Sequence, residues 1–349
     1  FSIACQRCYQ RIYALPIDGH HEDTMKRRLL LLSAAAALSL ANAPAVAQSN
    51  WNLAAGYPIG NPHTVTLNQF AKDVEFATNG KIKITVHANG SLFKVPEIAR
   101  AVESGQAQMG EVLMSVMVNQ NPVFGVDSLP FLATGFDDAY KLWQAQKPVA
   151  DRLLAKRGAK LLYAVAWPPQ GIYAKKELRS AADMKGLKWR AYNPATSKIA
   201  QAVGAQSLTI QAAELSQALA TGAVDSFMSS GATGVDSKVW ETLTHFHTVN
   251  AWVPKNMVIV NLRDFEKLDK PTQEALLKAA ADAERKGWER MRGYTDESLG
   301  ILQKNKMTIV KPSPQLMGDM KKIGDEMLGD WLKQAGGDGK EIIDVYRKK

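Results

Sequence analysis

Cysteine is almost missing from this chain: 349 residues hold two, Cys5 and Cys8, and both precede Met25. No disulfide can staple the fold beyond that point, so its core must stand on apolar packing. The C-x-x-C spacing fits half of a metal site or a redox pair, but no second pair completes it. Long apolar runs are missing too. The best candidate, Leu29 to Leu40, falls well short of the roughly 20 residues that a membrane-crossing helix needs. Catalytic signatures are equally absent, with no G-x-S-x-G, H-E-x-x-H, P-loop or G-x-G-x-x-G. What remains is 46% hydrophobic and 22% charged, which excludes disorder and describes a globular protein of about two domains.

Lys26, Arg27 and Arg28 precede the apolar run, which leads into Ala45-Val46-Ala47. Cations, a short apolar stretch and an A-x-A site in that order read as a signal peptide over residues 25–47, with Ala41-Asn42-Ala43 as a second cleavage site. Residues 1–24 read as upstream reading frame. The mature chain is expected to be periplasmic and without a thiol. Removing residues 1–47 takes away five cations and three anions, so the formal charge of +9 falls to +7. That excess is dispersed. Its densest run, Glu284 to Arg292, mixes both signs at helical spacing and reads as a solvated helix face, so no nucleic-acid partner is expected.

From Trp51 strands and helices alternate. Trp51 to Gly56 reads as a strand, and Asn61-Pro62 supplies an N-cap with proline in the first turn. Leu67, Phe70, Ala71, Val74 and Ala77 form one helical stripe, closed by Asn79-Gly80. Lys81 to His87 alternates as a strand, Pro96 to Ser104 is helical, and Gln108 to Met114 is a strand. This βαβαβ order predicts a parallel sheet with helices on its faces. Two helices, Asp137 to Lys147 and Pro148 to Arg157, precede a strand at Lys160 to Ala166. Trp167-Pro168-Pro169-Gln170-Gly171 then marks a crossing between domains. Beyond it come a strand at Leu187 to Ala191, a helix from Asn193 to Val203, a strand at Ser207 to Ile210, a helix to Thr221 and a strand at Val224 to Met228. Trp252-Val253-Pro254 reads as the return, before a strand at Asn256 to Asn261. Pro271 to Lys304 exceeds the usual helix length and is expected to run across both units.

The fold class is therefore α/β, two-lobed, with a ligand cleft between lobes and a long helix spanning both. Residues 48–168 and 253–297 are assigned to lobe I, and residues 169–252 and 298–349 to lobe II. Ligands of such sheets sit beyond the strand ends, which here means the cleft. Arg190 ends a strand there, and the next helix starts three residues later at Asn193-Pro194. A guanidinium fork beside a helix N-terminus is an anion site. His245-Phe246-His247 puts two imidazoles on one strand face, but no further ligand lies nearby in sequence, so no metal is expected.

Asp183-Met184-Lys185-Gly186-Leu187-Lys188-Trp189-Arg190, with Leu129-Pro130-Phe131 upstream and Ala218 to Asp225 downstream, resembles the periplasmic substrate-binding proteins of tripartite ATP-independent periplasmic (TRAP) transporters, the DctP type. The resemblance runs over nearly all of the mature chain. It implies a clamp that closes on an organic acid, with Arg190 pairing the carboxylate and Asn193 assisting. It also implies integral-membrane transporter subunits as partners, a monomeric receptor, and neither cofactor nor catalysis. Many relatives carry a second arginine where this chain has Gln170, and polar positions where it has Ser226, Phe227, Met228 and Ser229. With Ala212 also small, the pocket is expected to be roomy and apolar, lined by Tyr57, Phe93, Trp167, Phe227 and Trp252 as well as Ser229. The expected ligand is then a monocarboxylate with an aromatic or apolar body. Lys94 swinging in as a second cation would instead admit a dicarboxylate. Two other readings stay open: an exported enzyme using His63 or His247, which no motif supports, and a ligand-sensing partner of a membrane receptor.

Overall fold

A computed structural model describes residues 48–348. The signal peptide expected over residues 25–47 and the Cys5/Cys8 pair lie outside the described residues.

The first sheet is built from β1 (Ser49–Ala54), β2 (Ile82–His87), β3 (Met109–Leu113), β4 (Ala159–Ala166) and β10 (Lys255–Asn261), in the order β2-β1-β3-β10-β4. The second holds β5 (Gly171–Ala174), β6 (Lys188–Ala191), β7 (Gln206–Thr209), β8 (Ser226–Ser229), β9 (His245–His247) and β11 (Thr308–Val310), in the order β11-β9-β5-β8-β6-β7. The expectation of a parallel sheet holds for β2-β1-β3. It fails at β10, which is antiparallel to β3 and β4, just as β5 is antiparallel to β8 and β9. The reason is topological. A parallel neighbour needs a crossover helix to turn the chain round, whereas β5 and β10 each follow a direct passage from the other sheet and enter reversed.

Those passages run side by side. Trp167 N–H donates to the Pro254 carbonyl at 2.8 Å, Gln170 N–H to the Trp252 carbonyl at 2.9 Å, and Ala251 N–H to the Gln170 carbonyl at 2.9 Å. Pro168 and Pro169 have no N–H to continue the ladder, so β4 stops there and the chain turns into the second lobe.

Asn61 caps α1 (Pro62–Ala77), its side chain accepting from His63 N–H at 2.8 Å. Phe136–Ala155 is one helix, α3, following α2 (Val95–Glu103), rather than the two expected on either side of Pro148. Leu142, Trp143, Val149 and Ala150 are all buried, and that packing outweighs the one hydrogen bond proline removes. Beyond α4 (Pro194–Ala202), α5 (Leu215–Ala220), α6 (Gly231–Asp236) and α7 (Leu262–Glu266) comes α8 (Lys270–Lys304), which packs on α1 and β4 of the first lobe and on α6 and β11 of the second. It is bolted to β4: Trp288 Nε1 donates to the Ala164 carbonyl at 2.9 Å, and Ala164 N–H to the Glu284 carboxylate at 3.0 Å.

The last helix, α9 (Pro314–Lys348), departs from the expected lobe assignment of residues 298–349. Only β11 joins the second sheet. α9 lies mainly against α3 and the turn at Pro122–Ser128, with Trp331 Nε1 donating to the Pro122 carbonyl at 2.7 Å and Tyr346 Oη to the Leu132 carbonyl at 2.9 Å. Its apolar face, including Leu316, Met320 and Trp331, finds cover there.

Gly287 of α8 packs directly on β4, where a Cβ would lie 2.5 Å from Val165 Cγ2, whereas at Gly293 it would meet nothing within 4 Å. Alanine favours helix over glycine by up to about 1 kcal/mol, and overpacking costs about 1–3 kcal/mol. We expect Gly293→Ala to raise the melting temperature and Gly287→Ala to lower it, checked by thermal denaturation of both variants.

Candidate ligand site between the lobes

Arg190 is 3% exposed. Its neighbours Trp189 and Ala191 are fully buried, so β6 carries the guanidinium into the protein rather than out to solvent. One contact steadies it from behind, Nε donating to the Ile210 carbonyl at 2.8 Å, and its Cζ lies 5.0 Å from the Tyr192 ring centroid. No carboxylate among the described residues lies within ion-pair distance of it. Burial pulls its pKa down to about 10, which still leaves it charged at neutral pH. A desolvated cation without a counter-ion is costly, and this one faces a cavity.

The free space of that cavity, with the open solvent before it, comes to about 460 Å³, and Arg190 is the one charged side chain in its wall among the described residues. Of the residues expected from the sequence, Tyr57, Trp167, Gln170, Arg190, Ala212 and Ser229 line it. Trp167 is held by its Nε1 donating to Asn256 Oδ1 at 2.9 Å and by Tyr57 edge-on at a centroid distance of 4.7 Å. Gln170 is doubly fixed, Nε2 donating to the Pro168 carbonyl at 2.9 Å and Oε1 accepting from the Tyr192 hydroxyl at 3.1 Å. Ser229 Oγ donates to Thr233 Oγ1 at 2.8 Å. Burial pushes the Tyr57 and Tyr192 phenols up, so both stay neutral donors.

Other expected residues lie elsewhere. Asn193 caps α4, Oδ1 accepting from Thr196 N–H at 2.9 Å, while its Nδ2 donates across the lobes to Ser115 Oγ at 2.8 Å. Both ends of its amide are engaged, and the start of α4 is closed by its own side chains, so the helix-terminus part of the anion site is not formed. Phe227 is sealed in the second lobe's core, stacked on Tyr173 at 4.6 Å, and Trp252 is fully buried, lending the crossing only its backbone carbonyl. Phe93 packs half-buried against the first core, leaving the wall to Val95, and Lys94 is exposed outside the lining. His63 is buried rather than at a cleft surface, its Nδ1 3.2 Å from Glu111 Oε1. His247 has both nitrogens committed, Nε2 accepting from Leu178 N–H at 2.8 Å and Nδ1 facing the Ile172 carbonyl at 3.1 Å, and burial lowers its pKa. A metal role for the His245/His247 pair has no lone pair at His247 to use. Sequence reasoning passed over Tyr192, Ser230, Thr233 and Pro254; Tyr192 stood in plain view two residues after the arginine, where a ring can stack on it.

A family model described as DctP, bacterial extracellular solute-binding protein, family 7, matches residues 54–334. The chain belongs to this family. It is similar to DctP6 of Bordetella pertussis, described as an extracytoplasmic solute receptor binding pyroglutamic acid, at 51% identity and a TM-score of 0.85, over 86% of this chain and 100% of that one. A TRAP solute-binding protein from a marine metagenome, described as specific for pyroglutamate, is 42% identical with a TM-score of 0.85, over 86% of this chain and 99% of that one. A monocarboxylate 2-oxoacid-binding periplasmic protein of Nostoc sp. is 25% identical over 317 residues, 86% of this chain and 87% of that protein. This DctP-type protein is accordingly a solute receptor of the transport class and not an enzyme. No helix among the described residues is long and apolar enough to cross a membrane.

In this receptor the lobes also meet at Asn61, whose Nδ2 donates to Asp236 Oδ2 at 2.6 Å from the opposite side of the cleft. Burial raises the Asp236 pKa to about 6, against the opposing pull of Asn61 and His63. A raised carboxyl stabilises the folded, closed protein fully below its unfolded value near 4 and loses that contribution as pH rises through 6. Asp236→Asn keeps an acceptor for Asn61 and stays neutral. We expect the stability of this variant, measured against the unaltered protein by denaturant titration, to gain between pH 4 and 7 and then level off.

Arg190 yields a second expectation. Arg190→Met removes a buried charge that has no partner until a ligand arrives. The ligand-free variant should melt at or above the unaltered protein, while the ligand-induced rise in melting temperature disappears. Arg190→Lys keeps the charge but not the fork, and its affinity should fall by about tenfold or more.

Proposed function

We propose that this receptor captures a small cyclic monocarboxylate of the pyroglutamate type in the periplasm and, acting as a monomer, delivers it to the integral-membrane subunits of a TRAP transporter. The observation that carries this reading is the charge count of the cavity: one buried cation, Arg190, and no second charge in the wall. One carboxylate neutralises it. A C4 dicarboxylate would turn its second carboxylate toward neutral groups such as Gln170 and Ser229, at a desolvation cost of several kcal/mol.

Shape and polarity narrow the ligand further. Tyr57, Val95, Leu113, Trp167 and Pro254 offer faces for a ring. The aryl body expected from the sequence fits less well, because Gln170, Gln211, Ser229, Ser230 and Thr233 also line the wall. Against a plain aromatic ring those groups lose water and gain nothing, at about 1–3 kcal/mol for each left unpaired. A compact ring with its own amide edge satisfies them. The pyroglutamate named for relatives at 51% and 42% identity is such a molecule, which supports the reading. Export through the signal peptide read over residues 25–47 agrees with it.

Titration calorimetry with pyroglutamate, succinate, phenylpyruvate and glucuronate tests it. Pyroglutamate should bind at least about 100-fold more tightly than succinate, a difference of about 2.7 kcal/mol. Tighter binding of succinate, phenylpyruvate or glucuronate would sink the proposal.

A further inference from the structure

The Tyr192 side chain carries two polar groups of the cavity at once: the Arg190 guanidinium lies 5.0 Å from its ring centroid, and the Gln170 amide sits on its hydroxyl at 3.1 Å. The amide is oriented without ambiguity. Oε1 takes the phenol proton, Nε2 gives one N–H to the Pro168 carbonyl at 2.9 Å, and the residue's backbone is pinned in the crossing by bonds to Trp252 and Ala251 at 2.9 Å each. Gln170 is 2% exposed and lines the cavity. Nε2 has a second N–H, and no acceptor for it occurs among the described residues. A buried donor left without a partner is costly, and this one is neutral, rigid and registered against the cation by a single phenol ring.

We propose that Gln170 is the specificity-determining residue that reads a neutral carbonyl on the ligand ring, at the far side of that ring from the carboxylate held by Arg190. This rests on the cyclic-acid reading above and assigns one atom of it. The other donors nearby are less suited. The Ser229 hydroxyl already donates to Thr233 and the Tyr192 hydroxyl to Gln170 itself. Gln211 is only half-buried, and its side chain finds no hydrogen-bond partner among the described residues. A neutral donor also sets a sign. It accepts the carbonyl of a closed ring and gives no compensation to the carboxylate that the same molecule would expose if the ring were opened, so the receptor separates a lactam acid from its open-chain amino diacid through this one group.

The test compares two ligands that differ only in the ring carbonyl: the lactone acid γ-carboxy-γ-butyrolactone and the cyclic ether acid tetrahydrofuroate, with pyroglutamate as reference. In the unaltered receptor the lactone acid should bind about tenfold more tightly than the ether acid, the worth of one buried hydrogen bond. In Gln170→Met that ratio should collapse toward one, with a cooperative thermal unfolding transition of the ligand-free variant showing that it is folded. Gln170→Glu retains the acceptor for Tyr192 but lacks the donor, and should lose the ratio as well. In Tyr57→Phe the ratio should survive. A ratio unchanged in both Gln170 variants, or lost in Tyr57→Phe instead, overturns the assignment and leaves the cyclic-acid reading standing. Failure of the unaltered receptor to bind pyroglutamate overturns that reading and the assignment with it.

Discussion

The structure depends on a guanidinium buried in the wall of a cavity among neutral groups. Arg190 is 3% exposed, with one hydrogen bond to a backbone carbonyl, one aromatic ring and no carboxylate within reach among the described residues. Such a group destabilises a folded protein on its own account. It persists because β6 is locked on both sides, by Trp189 and Ala191 in the core and by parallel neighbours β7 and β8. The strain is useful: in a low-dielectric site a ligand carboxylate recovers what desolvation of the cation costs, whereas in water the same pair is worth little.

Polar contacts between the lobes frame the site. Asn61 bridges to Asp236 on one flank and Asn193 to Ser115 on the other. The second bridge continues inward. Asn193 Nδ2 is 3.5 Å from Ser128 Oγ, which donates to Asp127 Oδ1 at 3.2 Å, and Asp127 accepts from Lys255 N–H at 2.8 Å with Lys255 Nζ at 3.3 Å. Lys255 is the first residue of β10, immediately after the crossing. Both members of this pair are fully buried, and burial pushes Asp127 up and Lys255 down toward their neutral forms, each charge opposing the other's drift. A polar chain therefore links the point where the chain re-enters the first lobe to the rim where the lobes touch. That gives closure a defined geometry, where apolar contact alone would let the lobes slide.

The architecture was legible where periodicity and breakers agree. The stripe from Leu67 to Ala77, the alternation at Ile82, Ile84 and Val86, and the double proline at 168–169 each express a local rule, and the elements lie within a few residues of where those rules put them. Tertiary context decided the rest. Pro148 sits inside a continuous helix because buried side chains on both sides of it pay the cost. The antiparallel entry of β5 and β10 follows from lobe crossings, which strand patterns do not encode. At the site, Arg190 was suggested by a cation at a strand end, and Gln170 only by the resemblance, through the arginine that many relatives carry there; both lie in the cavity wall. Phe227, Trp252 and Asn193 were not, because aromatic character and polarity do not say which way a side chain turns: Phe227 found Tyr173, and Asn193 found a helix end and Ser115.

Reading that cavity as apolar came from counting charges lost, and charge is only half of polarity. Replacing cations by amides and hydroxyls removes the attraction for a second carboxylate but leaves N–H and O–H groups that still need partners. Such a wall disfavours a dicarboxylate by the cost of an unpaired anion and disfavours a bare aryl ring by the cost of unpaired donors. The two penalties act on different ligands and do not compete. On the reading proposed above, what passes both is a small molecule with one negative charge, a flat body for Tyr57 and Trp167, and neutral hydrogen-bonding atoms on its edge. Selectivity of this kind comes from groups that punish the wrong ligand as much as from those that attract the right one, and it allows a site with a single cation to be narrow in what it accepts.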